Sequence, residues 1–133
     1  MNDGTVLTQQ IAMLMEYVGQ IIQHLQRQKQ DQADLMSSME SQTLQQTQQI
    51  AIIDYKGMLN NGTSAADDFL IYVSNNKNRM IKAQIKTSKA MIVKLDEQIK
   101  RDTDFMNDLR RIRVMQDSGM QQIEIWSLLM QLQ

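Results

Sequence analysis

Apolar residues near the start of the chain recur at alternating spacings of four and three. Leu7, Ile11, Leu14, Val18, Ile21 and Leu25 follow this rhythm. A 3.5-residue repeat places all six on one helix face, the spacing of a coiled-coil seam. The pattern predicts a long first helix that uses this face for self-association. Continued in the same register, the stripe reads Gln28, Gln32, Leu35, Met39, Gln42, Gln46, Gln49 and Ile53. It turns polar, recovers briefly and turns polar again. Two readings stay open. Buried amides in a seam cost stability and set register or oligomer state, or the true apolar stripe drifts and leaves these amides on the surface. Gly19 lies inside the pattern and costs roughly 1 kcal/mol relative to Ala unless a neighbour packs closely on it.

The first break is Lys56-Gly57-Met58-Leu59-Asn60-Asn61-Gly62-Thr63-Ser64. Gly and Asn tolerate the positive φ angles that end helices. Ser64-Ala65-Ala66-Asp67 then reads as a capping-box variant opening a second helix. In that helix Ile81, Ile85, Ser88, Ile92, Leu95, Ile99, Asp102, Met106 and Leu109 repeat the four-three spacing. Phe69, Tyr72, Val73 and Met80 are expected to start the stripe, and Phe105 and Ile112 to widen it. A second break at Asp117-Ser118-Gly119 precedes a segment apolar around most of its circumference, with Ser118 to Gln121 as a further capping box. The predicted fold is all-α: a long antiparallel helical hairpin, coiled-coil-like, with a short apolar C-terminal helix. The whole of 1–133 is expected to form a single helical domain, with helix one over about 5–58, a turn at 59–64, helix two over about 65–116 and the terminal helix over about 119–133. Each long helix would measure on the order of 75 Å.

Composition sharpens this picture. Glutamine supplies thirteen of the first fifty residues, and the chain holds twelve Met, few aromatics, no Pro and no Cys. The core must therefore be aliphatic and adaptable. Lack of cysteine excludes disulfides, thiol nucleophiles and thiolate metal sites. No run of about 18 apolar residues is present to span a membrane. The start, MNDGTVLTQQ, lacks the basic and apolar regions of a secretory signal. The compartment is left unknown: cytoplasmic on synthesis, with export without a cleaved signal, or incorporation in a particle, both open.

Chemistry is sparsely represented. His24 is the sole histidine, the five glycines are scattered, and the serines have no recognisable base partner. Asp104 and Asp108 share a helix face, but Lys100, Arg101, Arg110, Arg111 and Arg113 interleave with them, as on a solvated surface. No catalytic residue, metal ligand or cofactor is expected. Net charge is −1, yet Lys77, Arg79, Lys82, Lys86, Lys89 and Lys94 run without an intervening acid. Lys82, Lys86 and Lys89 share a face and are the candidates for contact with an anion. In the terminal segment Ile123, Trp126, Leu129 and Met130 are the candidates for docking a partner, Trp being a common interface anchor. Alternative uses of this segment are covering its own hairpin and contact at a membrane surface.

These features point away from enzymes and towards a structural or assembly subunit packed by helix–helix association, as in a bacterial secretion apparatus, filament or phage particle. Homo-oligomerisation or helical protein partners are expected. Two alternatives are a cytosolic chaperone or adaptor holding a partner helix, and a nucleic-acid-associated protein using the 77–94 basic stripe. In its polar start, Asn61-Gly62 turn and apolar tail the chain resembles the small helical hairpin subunits exported by type III secretion systems, such as needle and inner-rod proteins. That resemblance is one of architecture, without a family motif matched residue by residue, and the helices here are longer.

Overall fold

Proline is absent, so no backbone donor is lost along either long periodic segment, and both form uninterrupted helices. The structure, a computed structural model, describes residues 3–132. Helix α1 spans Asp3–Leu59, α2 spans Ala65–Arg113 and α3 spans Ser118–Gln131. The fold is all-α, α1 and α2 pack together, and no strand occurs among the described residues. The end of the terminal segment at Gln133, and Met1 and Asn2 of the polar start, lie outside the described residues.

Local chemistry sets the turn between α1 and α2. Asn61 adopts φ 60° and Gly62 φ 142°, the left-handed region that Asn and Gly enter most easily. Gly62 N–H donates to the Gly57 carbonyl at 2.7 Å, the six-to-one bond of a Schellman ending with Asn in the left-handed position. Gly57 leaves room for the side chain of Thr63 at this point. A Cβ there would lie 2.5 Å from the Thr63 methyl. Ser64 caps α2, its Oγ accepting from Asp67 N–H at 3.1 Å. The Thr63 hydroxyl donates to the Asp68 carboxylate.

The chain divides into two compact units: Met1–Gln28 with Leu95–Gln133, and Lys29–Lys94. Unit 1 is a three-helix core. Ile11 and Val18 of α1, Met106, Leu109 and Ile112 of α2, and Leu128 of α3 form one buried cluster. Because α1 meets two helices here, its apolar face is wide, and both Leu14 and Met15 pack against the cluster. The Met106 methyl sits where Gly19 lacks a side chain, 3.6 Å from an ideal Cβ. That distance is ordinary van der Waals contact, so the glycine is not sterically required.

Helix α2 ends at Arg113, three residues before the expected Gln116. The cause is tertiary. Gln121 of α3 is 2% exposed, and its amide donates to the carbonyls of Ile112 at 3.2 Å, Arg113 at 3.4 Å and Met115 at 2.9 Å. The Ile112 and Arg113 carbonyls are among those that a helix end leaves without a donor four residues on; Ile112 also accepts from Met115 N–H at 3.0 Å. Gln121 therefore does not complete a box with Ser118. The cap of α3 is Asp117, whose Oδ1 accepts from Gly119 N–H at 2.9 Å and Met120 N–H at 3.1 Å.

Unit 2 is a two-helix hairpin with no third helix over it. Its α1 seam runs Gln32, Met36, Met39, Thr43, Gln46, Ile50, Ile53 and Gly57, all buried or half-buried. The α2 seam runs Ile71, Ser74, Asn78, Ile81, Ile85, Ser88 and Ile92. Leu35, Gln42 and Gln49, expected in the α1 seam, are exposed. The true register keeps Gln32, Met39, Gln46 and Ile53 but takes the residue after each of the others. The start of the α2 stripe is likewise corrected: Phe69, Tyr72 and Met80 are exposed, and Ile71, Ser74 and Asn78 face α1. Amides thus occur both in the seam and on the surface.

Candidate interaction surfaces

Of the six residues expected to form a self-association seam, Ile11 and Val18 are buried, while Leu7, Leu14, Ile21 and Leu25 are half-buried. Ile11 and Val18 belong to the core of unit 1, and Leu7 and Leu14 pack on it. Ile11 and Val18 are thus taken up by the core of their own chain, where α1 meets α2 and α3, and Ile21 and Leu25 stay half-buried outside that cluster.

Helix α3 divides its circumference. Ile125 and Leu128 turn inward to the core, with Gln121 at the end of α2. Ile123, Trp126 and Met130 turn outward, and Trp126 is 67% exposed. Leu129 is less open, at 41%. The outward three follow spacings of three and four and form one ridge. An ion pair of Glu124 with Arg111, at 3.5 Å, is partly exposed and contributes roughly 0–1 kcal/mol.

Surface grooves lie between the helices of unit 2. Leu35, Met39, Ala83, Gln84, Thr87 and Ser88 line the first. Gln49, Ile52, Ile53, Leu70 and Ser74 line another. Neither lining includes a charged residue. The α1 residues Leu35, Gln49 and Ile52 each precede a seam position by one, so both grooves open on the same flank. A further groove holds Thr47, Ile50, Asn75, Asn78, Arg79 and Lys82. Thr47 and Lys82 each follow a seam position by one, which places this groove on the opposite flank. The three lysines expected to meet an anion are all exposed, and Lys82 belongs to this polar groove.

The seam of unit 2 contains two side-chain amides with an unpartnered buried oxygen, Gln46 and Asn78. Asn78 donates to Thr47 Oγ1 at 3.5 Å, while its own Oδ1, and Oε1 of Gln46, are buried without a partner. An unpaired buried carbonyl costs about 1–3 kcal/mol. Heptad placement of Gln46 and Asn78 was the available signal, obscured because amides surround Gln46 on every side of α1.

Elsewhere the polar residues support helices. Gln98 donates to Asp102 at 2.8 Å, which accommodates the carboxylate at its half-buried stripe position. His24 Nε2 lies 3.2 Å from the Gln28 amide on an exposed face. Asp104 is exposed and Asp108 half-buried. Among the described residues no group of three or more His, Asp or Glu side chains gathers to hold a metal, and no helix is long and apolar enough to cross a membrane. Comparison with known protein families, with characterised proteins and with solved structures finds no match to this chain.

Proposed function

We propose that this chain is a non-enzymatic structural subunit that assembles with other helical proteins, its own copies included, of the kind that builds a secretion apparatus, a filament or a phage particle. One observation carries the reading: the ridge of Ile123, Trp126 and Met130 on an ordered helix whose opposite face is already docked. The inward face holds α3 in place, so the ridge is a fixed apolar surface in water. Covering each such side chain yields about 1.5–3 kcal/mol, and a rigid helix adds little ordering cost on association. Trp at the centre of the ridge fits the usual anchor of an interface.

The test is mass by light scattering across a concentration series, with the full chain and with Trp126→Ser. Trp126 lies outside the core cluster, so the variant keeps its fold, as helical circular dichroism would verify. Assembly of the parent chain and weakening by about 2 kcal/mol, or about thirty-fold, in the variant are expected. A parent chain that stays at one small mass and takes up a single foreign helical partner would replace the subunit reading with an adaptor. Trp126→Ser would then act on that partner instead.

A further inference from the structure

We infer that the flank of unit 2 bearing its two charge-free grooves is a docking surface for a second copy of this chain, with the two copies antiparallel. This rests on the assembly reading above and names the surface and the partner. The α1 stripe on that flank is self-complementary about its midpoint. Asp31 stands at one end and Lys56 at the other, Leu35 is matched by Ile52, and Gln42 by Gln45. Each pair lies equally far from a common midpoint between Gln42 and Gln45, and Ser38 and Gln49 complete the series. All of these side chains are exposed.

A two-fold axis through that midpoint, perpendicular to the helices, lays α1 of one copy antiparallel on α1 of the other. Acid then meets base at both ends, aliphatic meets aliphatic, and amide meets amide. An isologous interface requires this self-complementarity, and a foreign partner gives no reason for it. The α2 side of the flank obeys the same symmetry without placing like charges together: Val73 faces Met91, and Lys77 faces Thr87. The two uncharged grooves, near Leu35 and near Ile52, exchange places under the axis. Leu35 in the lining of one groove then lies against Ile52 in the lining of the other. From Asp31 to Lys56 the flank is about 38 Å long, and two helices make it about 20 Å wide. The resulting area, roughly 750 Å² per copy, matches the side of a standard stable interface.

Sedimentation velocity on the full chain tests the arrangement through charge. Asp31→Lys alone sets Lys against Lys56 of the second copy, and Lys56→Asp alone sets Asp against Asp31. Each single change is expected to weaken association at least ten-fold, and the double exchange Asp31→Lys with Lys56→Asp to restore it. Leu35→Glu with Ile52→Glu is expected to leave a monomer of unchanged helicity, since both residues are half out of the fold. Rescue by the double exchange supports antiparallel copies. Failure of rescue overturns that arrangement. If the parent chain assembles and the Leu35/Ile52 variant assembles equally well while Trp126→Ser does not, this flank is overturned and the subunit reading stands. A parent chain monomeric at every concentration overturns both.

Discussion

The Gln121 carboxamide shares two hydrogens among the carbonyls of Ile112, Arg113 and Met115, closing the end of α2 from a different helix. Gln121→Met keeps much of the volume and removes the donors. The part-buried Arg113 and Met115 carbonyls then lose this donor, while Ile112 keeps the bond from Met115 N–H, at a cost of about 1–3 kcal/mol. Thermal unfolding should show that loss, whereas a surface Gln such as Gln122 replaced by Met should change little. Gly19 gives a prediction of opposite sign. Its Cβ would meet the Met106 methyl at a comfortable 3.6 Å, so Gly19→Ala should stabilise the chain by roughly 0.5–1 kcal/mol through helix propensity. At Gly57 the same change drives a methyl into Thr63 and should destabilise. Denaturant midpoints of the two alanine variants should therefore move in opposite directions. Sequence spacing alone raised the question of what lies over Gly19. Only the placement of Met106 from the other long helix answers it.

At the scale of elements, the breaks between helices were legible and one helix register was not. Asn61, Gly62 and Ser64 act through their own backbones and near neighbours, so local residue types suffice to place that turn. The α2 stripe from Ile81 to Leu109 was also legible, since only one run of apolar residues fits the spacing. In α1 the apolar residues come as neighbouring choices, Leu14 with Met15 and Ile21 with Ile22, and amides follow without hydrophobic contrast. Two registers then fit equally well, and packing against α2 selects one of them. The polar layer at Gln46 and Asn78 has its own consequence. Replacing Asn78 with Leu removes an amide whose Oδ1 is unpaired, and should stabilise unit 2 by about 1 kcal/mol or more. The same change removes a polar layer that helps define register. Loss of register should appear as broadened amide resonances in the more stable variant.

For the whole molecule, the two units rest on different energetics. Unit 1 has an enclosed core with Leu109 and Ile112 at 0% exposure. Unit 2 has Met39 as its buried hydrophobic residue, with Leu44, Tyr55, Phe69 and Tyr72 among those left in water. Opening free energy follows buried apolar contact. Hydrogen exchange on the unassembled chain should therefore be slowest over 106–112 and at least ten-fold faster over 43–50 and 74–81. Assembly through unit 2 should narrow the difference by protecting the faster segments. Equal protection of both units in the dilute chain would contradict this account of where stability resides.

Periodicity, glycine, asparagine and the missing proline determined by themselves that the chain is all-helical, where it turns and which stripe of α2 is apolar, because helix propensity and turn geometry act over a few neighbouring residues. Tertiary structure alone decided that Ile11 and Val18 close an internal core, that α2 stops at Arg113 with the Gln121 amide at its end, and that Trp126 looks outward. Each of these depends on which apolar face reaches a partner first, and the competition among faces far apart in the chain is settled by packing, where local spacing carries no information.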